Sequence, residues 1–200
     1  MFKKELTGAP RQKLKSSVQR SLRQSLLSTY PLLTPYADEV LPKKASLQSI
    51  KLPDRAVLYV LEHEPLFFES GKPGDVPLLP HLRLVHRFPQ AFPSIRIDRG
   101  AIRYVLGGAT LMAPGLTSAG GRLPAPPPGG SATEQADEEG HWSRELEKGE
   151  PVVITAEGKE EACAVGLLVA GTKEVKDKGK GPVVEDAHFL GDGLWRLPLD

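Results

Sequence analysis

The residues that could carry chemistry in this sequence gather in the stretch 95–118, where a predicted helix with two arginines ends at a pair of glycines. Arg99 and Arg103 are four positions apart, and Gly107-Gly108 follows at the end of the same predicted helix. Arginine supplies positive charge and a planar fork of donors that matches phosphate oxygens. Glycines let an RNA backbone come close, and their amides can donate to phosphate or ribose oxygens. The stretch fits contact with RNA, although an ordinary helix end with solvated arginines explains the same spacing.

Charge is distributed unevenly along the chain. The 200 residues include 26 Lys and Arg against 25 Asp and Glu, which gives a formal net charge of +1. Residues 1–24 hold seven basic side chains against one acidic, whereas residues 134–161 hold three basic against ten acidic. A basic segment favours phosphate-rich partners in a salt-dependent way. A solvated helix face followed by an acidic loop is the alternative interpretation.

Catalytic and metal-binding motifs are missing from the sequence. No phosphate loop or complete dinucleotide fingerprint occurs, and Ser118 lacks the glycine two positions earlier that a serine elbow requires. The five histidines are scattered, and the single cysteine, Cys163, lies in an apolar run that predicts a buried, inert thiol. We therefore expect no enzyme, no cofactor and no metal site.

Composition favours a globular protein rich in turns. The chain contains 20 glycines and 19 prolines, so an all-helical bundle is disfavoured. No window approaches the roughly 18 uninterrupted apolar residues of a membrane-spanning helix. The opening residues lack the apolar core of a secretory signal. We expect a cytoplasmic protein without a membrane partner.

The N-terminal part of the chain is predicted to be an α+β unit. A helix over 11–29 follows from the four-residue spacing of Leu14, Val18, Leu22 and Leu26. The further predictions are a short helix capped by Thr34-Pro35 and ending before Pro42, strands at 56–61 and 66–68, turns at 62–65 and 71–75, and a helix from Pro80 to Arg87.

A boundary is predicted at 88–93, where two prolines favour extended chain. The domains are then 1–92 and 93–198, and the many short strands of the second suggest a small, mixed β-barrel. Its predicted elements are a strand at 95–97, a helix capped by Asp98 and ended by Gly107-Gly108, a strand at 109–112, a turn at 114–115, a disordered insertion at 119–141, strands at 151–154 and 162–169, a helix at 172–178, and a closing hairpin at 183–197 that turns at Asp192-Gly193.

Two stretches of the second domain resemble a known signature. Asp98–Ala109 (DRGAIRYVLGGA) and Met112–Ser118 (MAPGLTS) look like a PUA domain, and most closely like the malignant-T-cell-amplified-sequence family, called translation-machinery-associated protein twenty in yeasts. The resemblance extends over nearly the whole chain. It is also carried by Met1–Lys4, Leu41–Lys44, Leu66–Phe68, Ala156–Lys159 and His188–Trp195.

The resemblance implies an N-terminal α+β domain followed by a C-terminal PUA-type β pseudo-barrel. It implies a non-catalytic factor that pairs with density-regulated protein, which carries a SUI1-type domain, and binds the small ribosomal subunit and tRNA or rRNA. The pair would help release deacylated tRNA, which supports ribosome recycling, reinitiation and non-standard initiation. The RNA-binding residues implied by the family are Arg99, Arg103, Gly107, Gly108, Ala109, Leu116 and Thr117, with weaker claims for Trp195 and Arg196.

One departure from the family pattern and two alternative functions stay open. Family members pass quickly from the Gly-Leu-Thr-Ser turn to the next strand, whereas about twenty Pro/Gly-rich and acidic residues intervene here. Because their charge would repel RNA, we expect them to point away from the RNA face. An RNA-modifying enzyme with a PUA appendage is disfavoured, since ninety N-terminal residues are too few for its catalytic domain. A protein-interaction module without RNA contact is the third possibility.

Overall fold

The computed structural model of the chain describes residues 2–7, 10–71, 76–126 and 142–199. Its contacts divide into two compact units: the first unit is Phe2–Phe92 with Asp192–Asp200, and the second is Pro93–Gly191. Both contain helices and a sheet, so the predicted α+β class is confirmed. The predicted turn at 71–75, except for its first residue, and positions 127–141 of the insertion lie outside the described residues.

The first unit contains one antiparallel sheet with strand order β1-β2-β3-β4-β5. Its core follows the alternation of β3, in which Ala56, Leu58 and Val60 are buried and their neighbours are partly exposed. The elements are β1 (Gln12–Lys13), α1 (Ser16–Thr29), α2 (Ala37–Val40), β2 (Leu47–Lys51), β3 (Ala56–Leu61), β4 (Glu64–Ser70), β5 (Leu79–Pro80) and α3 (Leu82–Arg87), with 3₁₀ turns at Pro31–Tyr36, Pro53–Arg55 and Pro89–Ala91.

Three predicted helix starts in the first unit were wrong by a few residues. The first helix begins at Ser16 rather than at 11, because Gln12–Lys13 pair with β2 instead. Thr34 does not cap a helix, since it lies inside the 3₁₀ turn that runs into α2. Pro80 belongs to β5, and α3 is capped by His81, whose Nδ1 accepts a hydrogen bond from the backbone N–H of Arg83 at 3.1 Å.

The second unit contains a five-stranded sheet with order β6-β8-β9-β10-β7, in which only the β6–β8 pair is parallel. Cys163 is buried, as predicted, and desolvation raises the pKa of its thiol to about 12. The thiol is therefore protonated at neutral pH and a poor nucleophile. The elements are β6 (Ser94–Ile97), α4 (Ile102–Leu106), β7 (Leu111–Met112), α5 (Pro114–Thr117), β8 (Pro151–Ala156), β9 (Ala164–Leu168), α6 (Thr172–Lys178) and β10 (Pro182–Phe189).

Two predictions for the segment after β7 were wrong. The expected turn at 114–115 is the helical turn α5, which proline can open because its missing N–H is not needed there. The insertion is not disordered from its start, because Arg122 pairs with Arg96 of β6. Each of these two residues donates its backbone N–H to the carbonyl of the other, at 2.7 and 2.9 Å.

The predicted closing hairpin at 183–197 is replaced by a strand and a short helix. β10 ends at Phe189, and α7 (Gly193–Arg196) is capped by Asp192, whose Oδ1 accepts the Trp195 N–H at 2.9 Å. The N–H of Gly193 donates to the carbonyl of Phe2 at 2.6 Å, and a Cβ at Gly193 would lie 1.9 Å from the Lys4 carbonyl oxygen. This close backbone approach ties α7 into the first unit. Among the described residues, no helix has the length and apolar character needed to cross a membrane.

Candidate RNA-binding site

The α4 corner, residues 98–118 of the second unit, is held together by Asp98. Its Oδ1 accepts the Ala101 N–H at 2.9 Å, and its Oδ2 accepts the Ser118 hydroxyl at 2.7 Å. The hydrogen bond from Ser118 holds the pKa of Asp98 below its usual range. The backbone N–H of Asp98 donates to the carbonyl of Gly115 at 2.8 Å. Asp98 was predicted to cap α4, but α4 begins at Ile102 after Ala101 and has no side-chain cap. The Asp98 carboxylate instead joins the turn before α4 to Ser118 at the end of α5.

The two candidate arginines present their side chains to solvent in different ways. Arg103 lies against the neighbouring Tyr104, with its guanidinium carbon 4.7 Å from the ring centroid and its Nη2 donating to the phenol oxygen at 2.8 Å. Tyr104 is 55% exposed, so guanidinium and ring form one outward-facing platform. Arg99 is exposed on the turn before α4, where its backbone N–H donates to Oε2 of Glu157 at 3.3 Å.

Exposed apolar side chains are concentrated at the same corner. The described residues include five exposed large hydrophobic side chains, and three of them, Tyr104, Leu106 and Met112, belong to α4 and β7. Met112 is 46% exposed while the adjacent Leu111 is buried, because successive strand residues face opposite sides. This concentration of exposed apolar groups beside cations makes the corner the candidate binding surface.

The glycine pair acts differently from the sequence expectation. Gly107 and Gly108 end α4 as predicted, but their N–H groups bond back to the helix carbonyls of Arg103, Tyr104 and Val105. The N–H of Ala109 donates to the Tyr104 carbonyl at 3.0 Å. These three amides cap the helix, so the expectation that glycine amides serve RNA oxygens was wrong. Gly108 has φ +72°, which favours glycine and turns the chain sharply from α4 into β7.

The remaining family-implied residues differ in their accessibility. Ala109 and Thr117 are exposed, although the Thr117 hydroxyl donates to the Ala113 carbonyl at 3.2 Å. Leu116 is only 2% exposed, so it packs beneath the corner and offers no surface for contact. Trp195 and Arg196 lie on α7, which belongs to the first unit.

The Trp195 side chain packs against residues of α3 and its N-cap in the first unit. Its ring faces the guanidinium of Arg83 at 5.3 Å and the imidazoles of His81 and His86 at centroid distances of 6.2 and 5.7 Å. Its carbonyl oxygen accepts a hydrogen bond from Nη2 of Arg83 at 3.1 Å. The structure thus brings Arg99, Arg103, Gly107, Gly108, Ala109 and Thr117 into one compact unit and places Trp195 and Arg196 in the other.

Sequence reasoning missed Tyr104 and Met112 as surface residues. The signal was present in part, since Val105 and Leu111 take the buried positions and leave their immediate neighbours outside. The described residues contain no cluster of three or more His, Cys, Asp or Glu side chains that could hold a metal ion. The corner offers positive charge, an aromatic face and apolar contact.

Comparison with known proteins assigns a family to both halves of the chain. The family profile described as "Pre-PUA-like domain" matches residues 2–89, and the profile described as "elF2D, PUA domain" matches residues 92–193. The PUA assignment of the second domain is thereby confirmed.

Relatives match along almost the full length. The chain is 44% identical to translation machinery-associated protein 20 of Saccharomyces cerevisiae, covering 95% of this chain and 93% of that protein. It is 42% identical to the Drosophila melanogaster homolog of malignant T-cell-amplified sequence 1, covering 92% and 90%. It is 32% identical to human malignant T-cell-amplified sequence 2, covering 92% and 89%.

Solved structures share the fold at low identity. A hypothetical protein of Pyrococcus horikoshii superposes with a TM-score of 0.68 at 19% identity, covering 93% of this chain and 98% of that one. A conserved PUA domain protein of Thermoplasma acidophilum gives 0.58 at 21% identity, covering 94% and 98%. At these identities the likeness concerns the fold alone.

Proposed function

Because this chain belongs to the family of translation machinery-associated protein 20 and malignant T-cell-amplified sequence 1, we propose that it is a non-catalytic RNA- and ribosome-binding translation factor. A role in translation and a PUA domain are common to the family. The proposal adds that the α4 corner is the surface that contacts RNA. It also adds that the protein works on the small ribosomal subunit in the cytoplasm.

The observation that carries the proposal is the Arg103–Tyr104 platform. Successive bases of single-stranded nucleic acid stack on aromatic side chains, and nearby cations follow the phosphates. An exposed tyrosine with a guanidinium held against its ring supplies both groups at one place. Arg99 is a second exposed cation of the same corner, and Leu106 and Met112 are its other exposed apolar side chains.

The mechanism is positioning rather than chemistry. The Asp98 clasp, meaning the hydrogen bonds of the Asp98 carboxylate to Ala101 and Ser118, and the capped C-terminal end of α4 hold the Arg103–Tyr104 platform in place. RNA binding then costs little conformational entropy in the protein. Since the amides of residues 107–109 are used within the protein, the phosphate contacts fall to the arginine side chains. Gly107-Gly108 contributes because residues without side chains let an RNA backbone approach the end of α4 closely.

The finer proposal concerns partner and pathway. We propose that the protein acts with a SUI1-domain partner of the density-regulated-protein type. Together they would release deacylated tRNA from the small subunit, which supports recycling and reinitiation. The family resemblance motivates this step, and the α4 corner supplies the surface that would meet tRNA or rRNA.

A pull-down from cytosol with tagged protein tests the proposal. The wild-type protein should recover small-subunit rRNA and a SUI1-domain protein. Arg103→Glu should lower rRNA recovery severalfold, because one phosphate contact is replaced by repulsion, and it should make binding less sensitive to salt. Recovery of the SUI1-domain protein should not change.

The matched control is Lys176→Glu, an equal charge change at an exposed position of α6 in the same unit. It should retain rRNA recovery. Equal recovery of rRNA by the wild type and Arg103→Glu would overturn the assignment of the corner. Absence of rRNA from every sample would favour the alternative of a protein-interaction module.

A further inference from the structure

A second cationic surface lies in the first unit, in a groove beside α1. One wall is the polar face of α1, the other is the segment 41–47 that leads into β2, and Leu61 of β3 contributes to the lining. The groove encloses about 620 Å³. This volume falls in the roughly 300–1,000 Å³ range of sites that hold a compact ligand or the side chains of a bound segment.

The α1 groove is lined by five basic side chains and by no acidic one. Arg23 is fixed, with Nη1 donating to the Ala37 carbonyl at 2.7 Å and Nη2 paired with Asp38 at 2.7 Å. The other four have no hydrogen-bond or ion-pair partner among the described residues, and they are Lys13, Arg20, Lys43 and Lys44. Four unpaired cations around one concavity predict an anionic occupant.

The same groove has an aliphatic lining. Leu14, Leu41 and Leu61 are half-buried along it, and Leu47 is 4% exposed at its base. None of the lining residues is aromatic. Stacking surfaces for bases are therefore absent from the groove lining, whereas an aliphatic side chain inserted between the leucines would be stabilised by removal of apolar surface from water.

We propose that the α1 groove binds an acidic peptide segment of a partner protein, with an aliphatic anchor residue seated among the leucines. Carboxylates on either side of the anchor pair with Lys13, Arg20, Lys43 and Lys44 at the rim. The lysine stems can cover apolar surface while their ammonium groups stay in water. The inference goes beyond the proposed RNA role, because it concerns the other unit and none of its residues belongs to the α4 corner.

The test is fluorescence anisotropy with a labelled peptide in which single leucines are separated by glutamates. The wild-type protein should bind it, and the double variant Lys43→Glu/Lys44→Glu should bind it about tenfold or more weakly. A peptide with serine in place of each leucine should also bind several times more weakly, since the aliphatic anchor is lost. All proteins and both peptides are compared at one salt concentration, because rim ion pairs are screened.

The matched control is Lys3→Glu/Lys51→Glu, the same charge change at exposed positions of the same unit outside the groove. This control should bind the peptide with the wild-type affinity. Both double variants should melt at the wild-type temperature, because all four lysines are exposed.

Three results would overturn the inference. The first is no peptide binding by the wild type, and the second is equal binding of the leucine and serine peptides. The third is binding of labelled oligouridylate that Lys43→Glu/Lys44→Glu removes while the peptide does not compete, which would make the groove a nucleic-acid site. None of these results bears on the Arg103 pull-down, so the two proposals fail separately.

Discussion

The α4 corner and the α1 groove carry positive charge in two different settings. At the corner, the guanidinium of Arg103 lies on an exposed tyrosine ring, and Leu106 and Met112 of the same corner are also exposed. In the groove, the cations surround a concavity lined by leucines. Charge attracts anions to both surfaces, but the apolar groups beside the charge decide which anion fits. An aromatic face suits a base, and an aliphatic floor suits a peptide side chain.

The two surfaces also differ in how firmly their walls are held. The corner is clasped by the Asp98 carboxylate and by the capped end of α4. In α1, by contrast, only Leu26 is buried among 14 residues, and no side chain caps its N-terminus. Elements with few buried contacts open at lower free energy than the rest of a fold. The corner is therefore held by a network of hydrogen bonds at its own residues, whereas α1 is attached to the rest of its unit chiefly through Leu26 and the Arg23 hydrogen bonds to the Ala37 and Leu41 carbonyls.

Removing the tyrosine ring should separate the two surfaces most clearly. Tyr104→Ala should weaken binding of oligouridylate by about 1–3 kcal/mol, which is the value of one base stacked on an aromatic ring. Binding of the acidic peptide to the groove should not change. Anisotropy titrations with both probes measure the difference.

Two further variants sharpen that experiment. Tyr104→Phe keeps the ring and loses only the hydrogen bond to Arg103, so its effect should be intermediate. Tyr36→Ala removes a tyrosine of similar exposure, 43%, in the first unit and should leave oligouridylate binding intact. Equal losses from Tyr104→Ala and Tyr36→Ala would contradict a stacking role for the corner.

The second largest effect is expected at the Gly107-Gly108 pair that ends α4. Gly108→Ala should lower the free energy of unfolding by roughly 1–2 kcal/mol, since a side chain at φ +72° is strained, and RNA binding should weaken with it. Gly107→Ala is the control, because Gly107 has φ −87°. Chemical denaturation checks both, and similar destabilisation by the two changes would contradict the conformational argument.

The smallest effect is expected at the Asp98 clasp. Ser118→Ala removes the hydroxyl that lowers the pKa of Asp98, so this pKa should rise toward its ordinary value, about 3.8. A lowered folded-state pKa adds stability that is present above the ordinary value and lost as pH falls through the folded one. The variant should therefore lose part of its stability at neutral pH and become less sensitive to acid.

An NMR titration of the Asp98 carboxyl measures this change. The matched control is Thr117→Ala, because the Thr117 hydroxyl donates to a backbone carbonyl and not to a carboxylate. An unchanged Asp98 pKa in Ser118→Ala would show that the hydroxyl does not hold the carboxylate.

Local patterns predicted much of the framework. β3 and α6 were predicted with their observed bounds, because alternation and a run of helix-forming residues are each visible within a few positions. Gly107-Gly108 was predicted as the end of α4 for the same reason, since the hydrogen bonds at a helix end join residues only three or four positions apart. The family resemblance then identified the PUA domain.

Contacts between distant residues decided the rest. Asp192-Gly193 has the composition of a hairpin turn, yet the close approach of Gly193 to the backbone of Phe2 and Lys4 makes it the start of a helix. Leu116 is family-implied but buried, and Tyr104 became the exposed partner of Arg103 only once the packing of Val105 fixed the orientation of α4.

The sequence by itself determined the local elements, the charge pattern and the family, because each depends on residues that are near one another or on motifs read in order. The tertiary structure decided which amides are already bonded and which side chains share a surface. The α1 groove shows the reason: Lys13, Lys43 and Leu61 meet only when strand pairing and the packing of α1 bring separate segments together. No pattern within a single segment contains that information.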